Sequence, residues 1–114
     1  MIKIYGIKSC DTMKKAFHWL EENNIEFSFH DYKKAGLDAT TANKWIQELG
    51  WENVINKRGT TWRKLDEETK SKMNNELAVE TVIAQTSMIK RPLIIVNDNV
   101  HLGFKAGDYA DLLL

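Results

Sequence analysis

The chain has 114 residues, 43% of them hydrophobic and 28% charged, and its 16 basic and 16 acidic side chains cancel. That length suits one domain with a real hydrophobic core, and the composition is that of a folded globular protein, not a disordered one. Zero net charge removes any general electrostatic drive towards nucleic acid or an anionic membrane.

The first residues lack the basic segment and apolar stretch of a signal peptide, and no later apolar run reaches the roughly 20 residues of a membrane span. Ile2, Ile4 and Tyr5 form a short apolar run that predicts a buried strand, broken by Gly6. Met13, Ala16, Phe17 and Leu20 recur at i, i+3, i+4 and i+7, the stripe of an amphipathic helix. Ser9 or Cys10 is the expected N-cap, with Asp11 in the first turn. Cys10 is the only cysteine. A lone cysteine forms no internal disulfide, cannot build a cysteine-rich zinc site, and fits a reducing cytoplasm. Free cysteines are usually buried and inert. The strand-to-helix junction sets Cys10 apart, because unpaired N–H groups at a helix start stabilise a thiolate. Lys8 would assist this and Asp11 would oppose it.

Asn23 or Asn24 suits the left-handed exit from the helix. Ile25, Phe27 and Phe29 then alternate with polar residues, predicting a second strand, parallel to the first through a βαβ unit. His30 at its end is either a base or a polar residue facing water. Residues 33–38 read as a loop. Thr40 or Thr41 caps a helix carrying Ala42, Trp45, Ile46 and Leu49, which Gly50 ends. Trp51 to Ile55 adds a helical turn. Residues 56–64 hold Lys57, Arg58, Arg63 and Lys64 with two threonines around Gly59, so they serve as an anion site or a solvated connector. A short helix over Val79, Val82 and Ile83 follows. Residues 93–96 and 100–102 form a hairpin around Asn97-Asp98-Asn99, and Asp108 caps a last helix. Pro92 lacks an N–H and therefore begins the third strand; residue statistics favour a trans bond before it. His18, His30 and His101 show no metal-binding spacing, so no metal site is expected. The order is βαβ, helical lobe, ββα: an α/β fold with a four-stranded mixed sheet. Residues 1–34 and 89–114 form its core and 37–86 the lobe. Ile4, Phe17, Leu20, Phe27, Ile94 and Val96 should share one core.

Four stretches, in order, carry a resemblance: YGIKSCDTMKKA at 5–16, FHDY at 29–32, RGTTWRKLD at 58–66 and IKRP at 89–92. Together they resemble the arsenate reductase (ArsC)/Spx family, closest to its YffB-like subgroup, over essentially the whole chain. The resemblance implies a thioredoxin-like fold with an inserted helical lobe and a cis bond at Arg91-Pro92 beside the cysteine loop. It makes Cys10 the nucleophile, and Arg58 and Arg91 two of the arginines that hold an oxyanion against it. Lys8, Ser9, Thr12 and Pro92 would support the loop. A third family arginine is replaced by the stretch from Leu102 to Lys105; Lys105 brings charge without a bidentate fork, which argues against arsenate as substrate. The function implied is that of a glutathione-dependent thiol reductase, with glutathione as co-substrate, no bound cofactor, and a small oxyanion or disulfide as substrate. Two alternatives are a true glutathione-dependent arsenate reductase and an Spx-like regulator docking on RNA polymerase. Exposed Trp45, Trp51 or Trp62 would favour the regulator. Met13 stands where Spx proteins carry the second cysteine of CxxC, so no internal redox switch is expected. Neither direct nucleic-acid nor membrane binding is implied.

Overall fold

In the computed structural model, which describes residues 2–114, the periodicities resolve into four strands and eight helices in the order β1 (Ile2–Gly6), α1 (Asp11–Glu22), β2 (Phe27–Asp31), α2 (Tyr32–Ala35), α3 (Ala39–Leu49), α4 (Trp51–Val54), α5 (Thr60–Arg63), α6 (Glu67–Lys72), α7 (Asn75–Ala84), β3 (Leu93–Val96), β4 (Asn99–Leu102) and α8 (Ala106–Leu113). A single 3₁₀ turn, Thr86–Met88, precedes β3. The chain forms two compact units. One holds the segment up to Ala35 and that from Arg91 onward; the other is Gly36–Lys90.

The first unit carries the sheet, in the order β2-β1-β3-β4. β1 and β2 run parallel from Ile2↔Phe27 to Gly6↔Asp31. β3 lies antiparallel to β1, Tyr5 facing Leu93, and β4 returns antiparallel to β3. This is the α/β fold with a four-stranded mixed sheet expected from the sequence. The hairpin turns on Asn97 and Asp98, whose φ values of 50° and 66° are the two left-handed residues that match the twist of a two-residue hairpin.

α1 buries Met13, Ala16 and Leu20 against Ile4, Ile94 and Tyr109. Its exit uses Asn24 at φ 56°. Ile25 N–H donates to the Leu20 carbonyl at 2.9 Å and Asn24 N–H to that of Glu21 at 3.1 Å, the paired bonds of a Schellman cap with asparagine in glycine's usual place. Phe17 stacks on Phe27 at 5.4 Å and meets Phe29 edge-on at 5.0 Å. Of the six residues expected to share the core, Ile4, Leu20 and Ile94 are fully buried, while Phe17, Phe27 and Val96 pack on it only partly buried. Phe27 is on the edge strand β2, and Val96 abuts the hairpin turn, so neither is covered on all sides.

The second unit is helical. α3 packs on α7, burying Ala42, Trp45, Ile46, Ala78 and Val82. Asp38, not Thr40 or Thr41, caps α3, its carboxylate accepting from the Thr41 N–H at 2.7 Å. Asn74 caps α7 in the same way through Leu77. A short bridge between Ile55 and Ile89 closes the unit. Residues 33–38 are not all loop, since α2 takes up the first of them. At the other end of the chain Lys105, not Asp108, occupies the N-cap of α8, and Asp108 lies in the first turn. Trp45 is 1% exposed, so it belongs to the core and offers nothing to a partner. Among the described residues no helix is long and apolar enough to cross a membrane.

Candidate active site around Cys10

Parallel β1 and β2 end on the same side of the sheet, at Gly6 and Asp31. Because β3 is antiparallel, it begins on that side. Strand direction therefore gathers the loop leading to Cys10, the start of α2 at Tyr32, and the Arg91-Pro92 step at one end, the carboxyl end of the parallel pair, where α/β sheets commonly place their sites.

Gly6 sets the close approach of helix to strand. A Cβ there would meet the Met13 sulfur at 2.5 Å, and Met13 is fully enclosed, so any larger residue would force the Met13 side chain to repack between α1 and β1. Cys10 is the N-cap residue with extended backbone, φ −96° and ψ 133°. On the opposite side of the site the Arg91-Pro92 bond is cis. The family resemblance implied this isomer, and residue statistics alone favoured the other. Pro92 is buried, and its carbonyl accepts from the Gly103 N–H at 2.8 Å.

Cys10 is half-buried. Its partial burial, the largest single influence, pushes the thiol pKa up. That is outweighed by the Met13 N–H, the Arg91 guanidinium as a hydrogen-bond donor, the Thr12 N–H and the charge of Arg91, so the pKa lies below the ordinary thiol value. The neutral thiol makes no cap hydrogen bond of good geometry; the amides and guanidinium act by favouring the charged form. Lys8, Ser9 and Lys105 are exposed. Thr12 contributes through its backbone, not its hydroxyl.

Arg58 belongs to the second unit. It is exposed on a turn where Asn56 Oδ1 accepts from the Arg58 N–H at 3.1 Å. Beside it, the Lys57 ammonium stands 4.7 Å from the Trp51 ring centroid and 5.9 Å from that of Trp62, and the two indoles stack at 5.8 Å. The RGTTWRK stretch is thus a helical turn, α5, tied back by cation–π contacts.

His30, at the end of β2, packs its ring against two tyrosines. It faces Tyr5 across the strands, ring centroids 4.8 Å apart, and Tyr32 edge-on at 5.9 Å. Tyr32 itself, read from sequence only as the end of a strand, is 3% exposed and lies in the field of Arg91. The signal that could have found it was its place at the end of the parallel pair, opposite the cysteine loop. Among the described residues no group of three or more His, Cys, Asp or Glu side chains could hold a metal ion.

A thiol whose pKa is lowered on folding makes stability depend on pH. The extra stabilisation is fully present above the unfolded thiol's pKa of about 8.5 and is lost as pH falls through the lower folded value. Parental stability relative to Cys10→Ser should therefore rise with pH inside that window. Denaturant midpoints measured across it check this; a difference constant with pH would make Cys10 an unperturbed thiol.

The ArsC family profile matches residues 5–112. The solved structure of the YffB protein is 46% identical, with a TM-score of 0.95 and all of both chains covered. An arsenate reductase (ArsC) related protein from Brucella melitensis is also 46% identical, with a TM-score of 0.81 over 99% of this chain and 95% of that one. The global transcriptional regulator Spx of Streptococcus mutans is 26% identical over 91% of this chain and 77% of its own length.

Proposed function

We propose, from the premise that this chain belongs to the ArsC family, that it is a glutathione-dependent thiol reductase with Cys10 as its nucleophile. The observation that carries the reading is the convergence of the Met13 and Thr12 amides and Arg91 on a sulfur they favour as thiolate. With no second cysteine in the chain, an external thiol must complete the cycle. The Cys10 thiolate attacks one sulfur of a disulfide substrate; that S–S bond breaks, and its electron pair leaves with the departing thiolate. A glutathione thiolate then attacks the substrate-derived sulfur of the mixed disulfide, displacing Cys10 as thiolate and carrying the substrate half away as a glutathione disulfide. Arg91, and Arg58 by family correspondence, would hold a carboxylate of glutathione or an oxyanion.

Incubation with oxidised glutathione followed by intact mass should show one glutathione adduct on the parent and none on Cys10→Ser. Turnover of arsenate with glutathione should be weak or absent, because only two of three family arginines have counterparts. Robust arsenate turnover would restore arsenate as the substrate. The similarity to Spx supports a second reading, a regulator docking on RNA polymerase. Capture of polymerase subunits by a chain that takes up no glutathione would favour it.

A further inference from the structure

β4 ends the sheet, with a neighbouring strand on one side only. Asn97 and Asp98, both left-handed, make its turn two residues long, and the closing pair of such a hairpin, Val96↔Asn99, exchanges both hydrogen bonds. Bonded and non-bonded pairs then alternate, so Ile94↔His101 is bonded, whereas Ile95↔Val100 and Leu93↔Leu102 are not. The 2.8 Å bond from the Gly103 N–H to the Pro92 carbonyl falls on the same alternation. The N–H and C=O groups of Val100 and Leu102 therefore point outward, away from β3. The strand, Asn-Val-His-Leu, carries no lysine or proline to guard that edge.

A cavity of about 420 Å³ opens between β4 and α8 and is lined by both residues whose backbone faces outward. His101 is paired with Ile94, and Ile94 with Ile4. Paired residues share a face, so the His101 side chain is on the side of the sheet that α1 and α8 cover. From α8 the cavity is lined by Asp108, Asp111 and Leu112, spaced i, i+3 and i+4 and hence on one side of the helix. Among the described residues neither carboxylate makes an ion pair. The cavity thus offers two anionic groups, an imidazole that accepts a hydrogen bond when neutral, and an apolar surface. That combination suits a side chain with an aliphatic stem and a cationic head.

We propose that β4 is a docking edge for an extended peptide of a partner protein. The peptide pairs with the backbone of Val100 and Leu102 as a further strand and lays a lysine or arginine in the cavity against Asp108 and Asp111. Main-chain bonds supply the affinity of such strand addition and the side-chain pocket its specificity. A second copy of this chain is the wrong occupant by charge. Its β4 has no lysine or arginine to offer, and pairing two such edges would bring like carboxylates together. The inference is independent of the chemistry at Cys10.

The test titrates the protein with a capped pentapeptide, acetyl-Thr-Val-Lys-Val-Thr-amide, to millimolar concentration and follows backbone amide resonances. The Val100 and Leu102 signals should shift and their solvent exchange should slow, while exchange at His101, already bonded to β3, stays unchanged. The same peptide with norleucine for lysine should bind about tenfold more weakly, the scale of a charge-assisted hydrogen bond. Asp108→Asn combined with Asp111→Asn should abolish that preference and leave Cys10 alkylation parental. The peptide comparison on the parent stands whether or not this double variant folds. Unprotected Val100 and Leu102 amides at saturation, or equal affinity for the two peptides, overturn the proposal. So does butylamine displacing the peptide at equal concentration, which would make the cavity an amine site without strand pairing. Protection of the same amides by raising protein concentration alone would make the occupant a second copy and overturn it too.

Discussion

Replacing Arg91 by alanine should move the inflection of Cys10 alkylation to higher pH and slow capture of glutathione. Arg91 acts on the sulfur twice, as a hydrogen-bond donor and as a charge, and both contributions lower the thiol pKa. Removing the side chain leaves the amides of Met13 and Thr12 to oppose burial unaided. Arg91→Lys separates the two contributions. Lysine keeps the charge but not the planar fork that can grip a carboxylate through two parallel bonds. The lysine variant should hold most of the lowered pKa yet lose about 1.5–3 kcal/mol of glutathione capture, the scale of charge-assisted hydrogen bonds. Alkylation rate against pH and the mixed-disulfide equilibrium constant are the two readouts. Parental values for both variants would reduce Arg91 to a solvated lead-in to Pro92.

Leu20→Ala should destabilise the first unit by about 2–5 kcal/mol, the range for truncating an enclosed leucine. Leu20 is fully buried among Ile4, Met13, Ala16, Ile94 and Tyr109, and its carbonyl accepts the 2.9 Å bond from Ile25 that ends α1. Truncation opens a cavity at the junction of helix, sheet and α8, where five enclosed neighbours leave little freedom to collapse. Against a typical total of about 5–15 kcal/mol, that is a large fraction, and it should appear as a lower denaturant midpoint. Below the transition the alkylation profile of Cys10 should stay parental, because Leu20 lies nearly three turns along α1 from the cap. A parental midpoint would remove Leu20 from the core.

The element order was legible because its causes are local. A helical stripe at Met13, Ala16 and Leu20, alternation through Phe27 and Phe29, and left-handed positions at Asn24, Asn97 and Asp98 each depend on residues a few positions apart. Cys10 at a helix start belongs to the same class, and so does its tendency towards thiolate. Caps are less legible: Asp38 caps α3 although Thr40 and Thr41 follow two and three residues later, since neighbouring polar side chains compete for one terminus and geometry selects among them.

The site depended on contacts that local sequence does not encode. Arg91 is far from Cys10 in the chain yet lowers its pKa, because antiparallel β3 starts on the side of the sheet where parallel β1 ends. The same register takes Tyr32 into Arg91's field and closes it over with Tyr5 and His30. Thr12 serves through its amide because helix geometry aims first-turn N–H groups at the cap whatever side chain they carry. The sequence by itself determined the strands, the helices, the turn residues and a cysteine set at a helix N-terminus, since each follows from short-range backbone preference. The family resemblance pointed to Arg91, but only tertiary structure brings it to the Cys10 end of the sheet and encloses the Tyr32 hydroxyl, because both follow from the pairing of strands far apart in the chain.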